Sequence, residues 1–231
     1  MVGLAEARAG GSAPQPGRYR DGALAVAPLA VGSVAFGISF GLLARTSGLG
    51  PAPALAMSAG AFTGTAQFAA VSVIGAGGSL LSAIIAAAFL NVRYVAMGLA
   101  AGSSFHGSAA RRFARAQFIV DESWAVANRG RRGFDLKVLV GAGLVLWASW
   151  LSGTAIGLFG AGALGDPHRF GLDMMAPALF LSLLVPHLRR RRAVLAAGLA
   201  VAISASLIPF AAPGIPIVLA SVAAFAGWRS P

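Results

Sequence analysis

The chain has no cysteine in 231 residues, and charge is scarce: 11% of the residues are Asp, Glu, Lys or Arg. Without cysteine there is no disulfide framework, thiolate metal site or Cys nucleophile. Ordinary soluble domains carry ~25% charged residues, so the low charge argues against that class. Three histidines, His106, His168 and His187, lie far apart in sequence and suggest no metal motif. No G-x-S-x-G, H-E-x-x-H or phosphate-binding loop occurs, so neither an enzyme nor a cofactor protein is expected. Acids are the rarest charge, seven Asp and Glu against eighteen Lys and Arg.

What fills the chain is apolar: 57% hydrophobic residues, 31 glycines and a mean hydropathy of +0.78. This composition is that of a polytopic membrane protein. The basic residues form short runs between apolar stretches, at 111–115, 129–132 and 189–192. In that setting they read as loop anchors under the positive-inside rule, not as a nucleic-acid surface. Residues 1–20 read as a disordered basic tail, and 21–231 as one transmembrane domain embedded in the lipid bilayer.

A crossing helix needs ~20 apolar residues. Candidates are 22–43, 52–74, 78–101, 138–160 and 193–211, with shorter ones at 170–187 and 214–228. The expected fold is all-α, a transmembrane helix bundle of about seven spans. Segment 116–128 is short and polar, and reads as a short membrane helix, a re-entrant piece or an interfacial helix. Crossing or not, it leaves a basic excess on one side, so the positive-inside rule does not orient the N-terminus. GISFGLL at 37–43 echoes GTAIGLF at 153–159. With three spans in each of 22–101 and 138–211, the echo predicts an inverted repeat with broken or short helices. Gly37/Gly41, Gly60/Gly64, Gly98/Gly102 and Gly153/Gly157 are G-x-x-x-G pairs, the spacing that lets helices approach closely. Pro28, Pro177, Pro186 and Pro209 fall inside predicted spans and free backbone carbonyls there.

Polar groups inside apolar spans are costly, and they mark candidate sites. Gly60, Gly64 and Gln67 share one face of a helix at i, i+4 and i+7, with Thr63 one turn before Gln67. Bare glycine beside an amide makes Gly64, Thr63 and Gln67 candidates for substrate binding, or for a close helix crossing. Asn91 and Arg93 point to nearly opposite faces. Arg93 pairs with Asp173, Asp121 or Glu122, meets a substrate carboxylate, or snorkels to the interface. Asp173, Asp121 and Glu122 each start a helix, so each is either a cap or a proton or ammonium acceptor.

Five blocks in order, FGISFGLLARTSGL at 36–49, SAGAFTGTAQFAAV at 58–71, FLNVRYVAMGLA at 89–100, DESWAVAN at 121–128 and GLDMMAPALFLSLLVP at 171–186, resemble the AzlC family. Tyr94 departs from the pattern, since many relatives carry His there. The resemblance implies the large subunit of a two-component exporter of branched-chain amino acids in the cytoplasmic (inner) membrane. It also implies a small separate AzlD-type membrane subunit as partner. A channel or a non-transporting membrane scaffold is the alternative reading.

Overall fold

A computed structural model describes residues 17–164, 191–211 and 215–220, and single positions 181, 184, 185, 188 and 223. These are helical apart from turns and one isolated bridge, Asn128–Phe134. The helices are α1 (Tyr19–Thr46), α2 (Pro51–Gly60), α3 (Gly64–Gly75), α4 (Leu80–Gly102), α5 (Ala109–Ala116), α6 (Asp121–Ala127), α7 (Leu136–Leu164), α8 (Arg191–Leu207) and α9 (Ile215–Ala220). Among the described residues, three helices are long and apolar enough to cross a bilayer: α1, α4 and most of α7. The fold is a membrane helical bundle, as the composition predicts.

The bundle is organised by α1 and α7, which pack along their whole lengths and run parallel. Gly22 lies against Val138, Gly37 against Trp150, and Gly41 against Thr154. Each of these contacts is glycine on the other helix's backbone carbonyl. A Cβ on Gly37 would stand 2.5 Å from the Trp150 oxygen, and one on Gly157 would stand 2.1 Å from the Ile38 oxygen. The two echoing G-x-x-x-G pairs therefore pack on each other. This corrects the inverted-repeat expectation for that pair, because inversion would run them antiparallel. It also removes Gly37/Gly41 as a free surface, while Gly98/Gly102 on α4 meets nothing among the described residues.

Segment 52–74 does not cross as a single span. It breaks at Ala61–Thr63 into α2 and α3, and the chain reverses there. Gln67 reaches Ser58 across the break, and Gly75 at the end of α3 lies against Ser47 at the end of α1. Residues nine apart on one straight helix would be about 13 Å apart along its axis, so only a reversal brings Gln67 to Ser58. Phe62 makes the reversal with φ +33, a left-handed conformation that non-glycine residues seldom adopt. Glycines close both roots of this hairpin: Gly48 (φ +77) ends α1, and Gly77 (φ +80) follows α3. Gly60, Gly64 and Gln67 consequently do not share one helical face.

α4 then returns across the bundle to the end where α1 and α7 begin. Ser104, just past α4, accepts the amide of Phe134, just before α7. Segment 116–128 does not cross either. α5 and α6 form a second short hairpin from that end, and its tip reaches inward. Phe118 packs on Gly143, and Val120 joins the core with Ala142 and Leu146. The orientation now follows. Among the described residues up to the end of α7, Arg18, Arg20, Arg111, Arg112, Arg115, Arg129, Arg131, Arg132 and Lys137 sit at this end, against Arg45 at the opposite one. By the positive-inside rule, this distribution is the one expected of a cytoplasmic end. α1 begins at Tyr19, so the last two residues assigned to the tail belong to the helix. Pro209 lies just past the end of α8, not inside a span. Segment 170–187, with Pro177 and Pro186, lies outside the described residues except for single positions.

The absence of cysteine makes a clean topology test available. Thr46→Cys and Ala76→Cys should both be labelled by an impermeant maleimide from outside the cell, and Ser108→Cys only from within. Labelling of Thr46→Cys and Ala76→Cys from opposite sides would show that 52–74 crosses after all.

Candidate binding site between two helical hairpins

The two hairpins enter from opposite sides and their tips meet. The Gln117 amide donates to the Gly60 carbonyl, and Trp147 Nε1 donates to the Ala59 carbonyl at 3.0 Å. These are carbonyls at the C-terminal end of α2, which have no partner within their own helix. The first hairpin's tip is therefore fastened by side chains of the second hairpin and of α7.

Beside the joint lies a cavity of about 310 Å³. One wall is apolar: Leu29 and Phe36 from α1, Phe62 from the first tip, Val120 from the second, Leu146 and Trp150 from α7. The facing wall is polar: Thr65 at the start of α3, Arg93 and Tyr94 on α4, and Asp121 and Glu122 at the start of α6. Trp150 is fixed by ring contacts with Phe40 and Phe68, at centroid distances of 5.9 and 6.1 Å.

Arg93 is the centre of the polar wall. Its guanidinium is 2.9 Å from Asp121 and donates to Thr65 Oγ1 at 3.3 Å and to the Tyr94 hydroxyl at 3.4 Å. It also lies over the Tyr94 ring, 5.1 Å from the centroid, in a cation–π contact. The pair is not sealed: the side chains keep 39% and 46% of their exposure, so a ligand can compete for either. Ser123 accepts the Val120 amide at 3.0 Å, so neither acid of α6 is needed for that bond. Among the described residues Glu122 has no hydrogen-bond or ion-pair partner. Arg93, Asp121 and Glu122 together leave one negative charge in excess at the cavity.

The start of α3 adds an anion-favouring feature. Its N-cap, Thr63, makes no side-chain cap bond, and Gly64 and Thr65 line the cavity. The first N–H groups of a helix lack partners within it and carry the positive end of its dipole.

Of the residues singled out in the sequence, Gly64, Arg93, Asp121 and Glu122 line the cavity together. Gln67 does not. It is 1% exposed and packed behind the tip, with its amide 3.5 Å from Ser58, whose hydroxyl bonds Thr154 at 2.9 Å. Thr63 sits at the break with its hydroxyl buried and without a hydrogen-bond partner among the described residues. Asn91 is half-buried on the other side of α4, as the two-residue offset from Arg93 predicts. Asp173 lies outside the described residues. Tyr94, Thr65 and Trp150 were missed as site residues. Tyr94 alone carried a signal, as the departure from the family pattern beside Arg93.

The comparisons fit a membrane protein of this kind. The family model for the AzlC protein matches residues 28–164, which contain both hairpins and all the cavity residues. The chain belongs to the AzlC family. It is 28% identical over 195 residues to the inner membrane protein YgaZ of Escherichia coli, covering 79% of this chain and 78% of that protein. A membrane protein of Archaeoglobus fulgidus is 31% identical over 216 residues, covering 91% and 94%. One from Helicobacter pylori is 25% identical over 164 residues, covering 69% and 71%. No solved structure matches. As an AzlC protein with membrane-protein relatives, the chain has a membrane-transport role.

The buried position of Gln67 yields a specific expectation. Gln67→Ala removes a polar link between the two arms of the first hairpin and leaves a small void. It should lower stability by roughly 1–3 kcal/mol while leaving ligand affinity within about twofold. Thermal unfolding and ligand titration of the purified variant measure the two separately. A large affinity loss at unchanged stability would put Gln67 in the cavity.

Proposed function

We propose that this AzlC protein is the large subunit of a two-component secondary transporter that exports branched-chain and similar apolar amino acids across the cytoplasmic membrane. The observation that carries the reading is the two-faced cavity. A free amino acid with an aliphatic side chain needs a cation for its carboxylate, an anion for its ammonium group and an apolar surface for its side chain. Arg93 and the start of α3 offer the first, Asp121 and Glu122 the second, and Leu29, Phe36, Phe62, Leu146 and Trp150 the third. The substrate carboxylate exchanges with Asp121 on Arg93, which frees Asp121 for the ammonium group.

A zwitterion does not cancel the excess negative charge, and an unbalanced charge at membrane depth is costly. A proton taken up with the substrate would cancel it, and Glu122, unpaired among the described residues, is our candidate to carry it, beside Asp121. Asp173 stays a second candidate from the sequence. The two hairpins supply the moving parts for alternating access, since broken helices of this kind surround transporter sites. For the small AzlD-type subunit our reading uses α4, where Gly98 and Gly102 meet nothing among the described residues.

The test is proteoliposomes holding this chain with and without the small subunit, loaded with each amino acid in turn. Driven export of leucine, isoleucine and valine, dependent on the second subunit and on a proton gradient, is expected. Glu122→Gln should lose driven flux while retaining substrate exchange. Equal flux for all amino acids, or none for the branched-chain ones, overturns the substrate reading.

A further inference from the structure

The polar end of the second hairpin carries a feature that the cavity does not use. α5 has the sequence AARRFARA, and none of its residues is buried. At about 100° per residue, Arg111, Arg112 and Arg115 fall within one arc of about 100°. Phe113 falls in the remaining arc with all four alanines, Ala109, Ala110, Ala114 and Ala116. Phe113 is 77% exposed in the bundle. Arg115 donates to the His106 carbonyl at 3.3 Å. Among the described residues Arg111 and Arg112 have no hydrogen-bond or ion-pair partner. No acid lies between His106 and Val120 to balance them. Of the nearest acids in sequence, Asp121 pairs with Arg93 and Asp135 with Arg129 at 3.7 Å, while Glu122 lines the cavity.

We propose that α5 is a binding site for anionic phospholipid of the cytoplasmic leaflet, with Arg111 and Arg112 on the headgroup phosphate and Phe113 among the acyl chains. A topological anchor requires only positive charge. A helix sorted into a cationic arc and an apolar arc matches a ligand that has an anionic head and an apolar tail. The orientation derived for the bundle places α5 on the leaflet side where such lipids concentrate. The site also bears on the bundle. Gln117, the residue after α5, is the one whose side chain bonds the Gly60 carbonyl. A lipid that fixes α5 therefore holds the joint between the two hairpin tips, and the proposal does not depend on which substrate the cavity takes.

The full chain, purified in neutral detergent, is titrated with phosphatidylglycerol and, in parallel, phosphatidylcholine, with bound lipid read by native mass spectrometry and stabilisation by thermal unfolding. Phosphatidylglycerol should bind more tightly and raise the unfolding temperature. Arg111→Gln/Arg112→Gln should weaken its binding by about 30-fold, and Phe113→Ala by about tenfold. All three side chains are exposed, so the variants should fold normally. Unchanged phosphatidylglycerol affinity in either variant overturns the site, as does equal stabilisation by inorganic phosphate at the same concentration.

Discussion

Gly157→Val is expected to abolish assembly of this protein, whereas Gly98→Val should leave it intact. Both positions are the same residue type in apolar helices, each part of a G-x-x-x-G pair. Their surroundings differ. A Cβ on Gly157 would stand 2.1 Å from the Ile38 oxygen, 2.9 Å from the Ile38 carbonyl carbon and 3.1 Å from the Gly41 Cα. All three are backbone atoms of a helix that cannot give way locally. Gly153, Gly37 and Gly41 meet the same opposition along the seam. Relief requires α1 and α7 to separate, which opens the core of Phe40, Phe68, Leu146, Leu158 and Trp150. The cost should reach or exceed the ~1–3 kcal/mol of an ordinary overpacked core. In the membrane this packing drives association, because lipid chains are as apolar as the helices. Among the described residues, a Cβ on Gly98 meets nothing within 4 Å. Size-exclusion profiles of fluorescently tagged variants in mild detergent would show it. A monodisperse wild-type peak for Gly157→Val would mean that the seam is looser than its geometry.

The membrane class, the all-α fold and the charged residues of the cavity were legible in the sequence for simple reasons. Composition reports solvent, and a lone Arg in an apolar stretch must find a counter-charge. Arg93 thus announced its own partner set, and Asp121 was in it. The echo between 37–43 and 153–159 was legible too, but similarity carries no direction. Close parallel packing selects the same glycine spacing that a repeat would leave. The break at Ala61–Thr63 was hidden because hydropathy sums the two arms of a hairpin as one span. No proline marks it, and Phe62 takes the left-handed turn without being glycine. The surroundings of Gln67 were hidden for a related reason. A straight helix put its amide beside Gly60 and Gly64, and the reversal turned it inward toward Ser58. The aromatic wall was invisible because Phe36, Phe62 and Trp150 are ordinary residues for a membrane helix. Only the meeting of three elements makes them a surface.

Arg93→Gln is expected to remove substrate binding almost completely, and the pattern of rescue decides why. The structural reading is that Arg93 and Asp121 merely tie α4 to the second hairpin. The functional reading is that Arg93 holds the substrate carboxylate once Asp121 has let go. Both predict damage from Arg93→Gln, since either loses charged hydrogen bonds. A hydrogen bond to a charged group contributes ~1.5–3 kcal/mol, or roughly 10- to 150-fold in affinity. Exchanging the charges separates them. Arg93→Asp combined with Asp121→Arg restores an attractive pair between the same two elements. If the pair is structural, the exchange should recover both stability and transport. If Arg93 is the carboxylate site, stability should return while transport does not. The cation would then stand on α6, away from Thr65 and the open N-terminal amides of α3, and beside Glu122, which would neutralise it. Asp121→Asn refines the point, because it keeps a polar partner for Arg93 while removing the competing charge. It should bind the substrate carboxylate at least as well as the wild type but hold its ammonium group less well. Thermal unfolding, leucine binding and gradient-driven flux on the four proteins give the answer. Wild-type leucine affinity in Arg93→Gln, or full transport in the charge exchange, would remove Arg93 from the site and leave the cavity to be explained by its carboxylates alone.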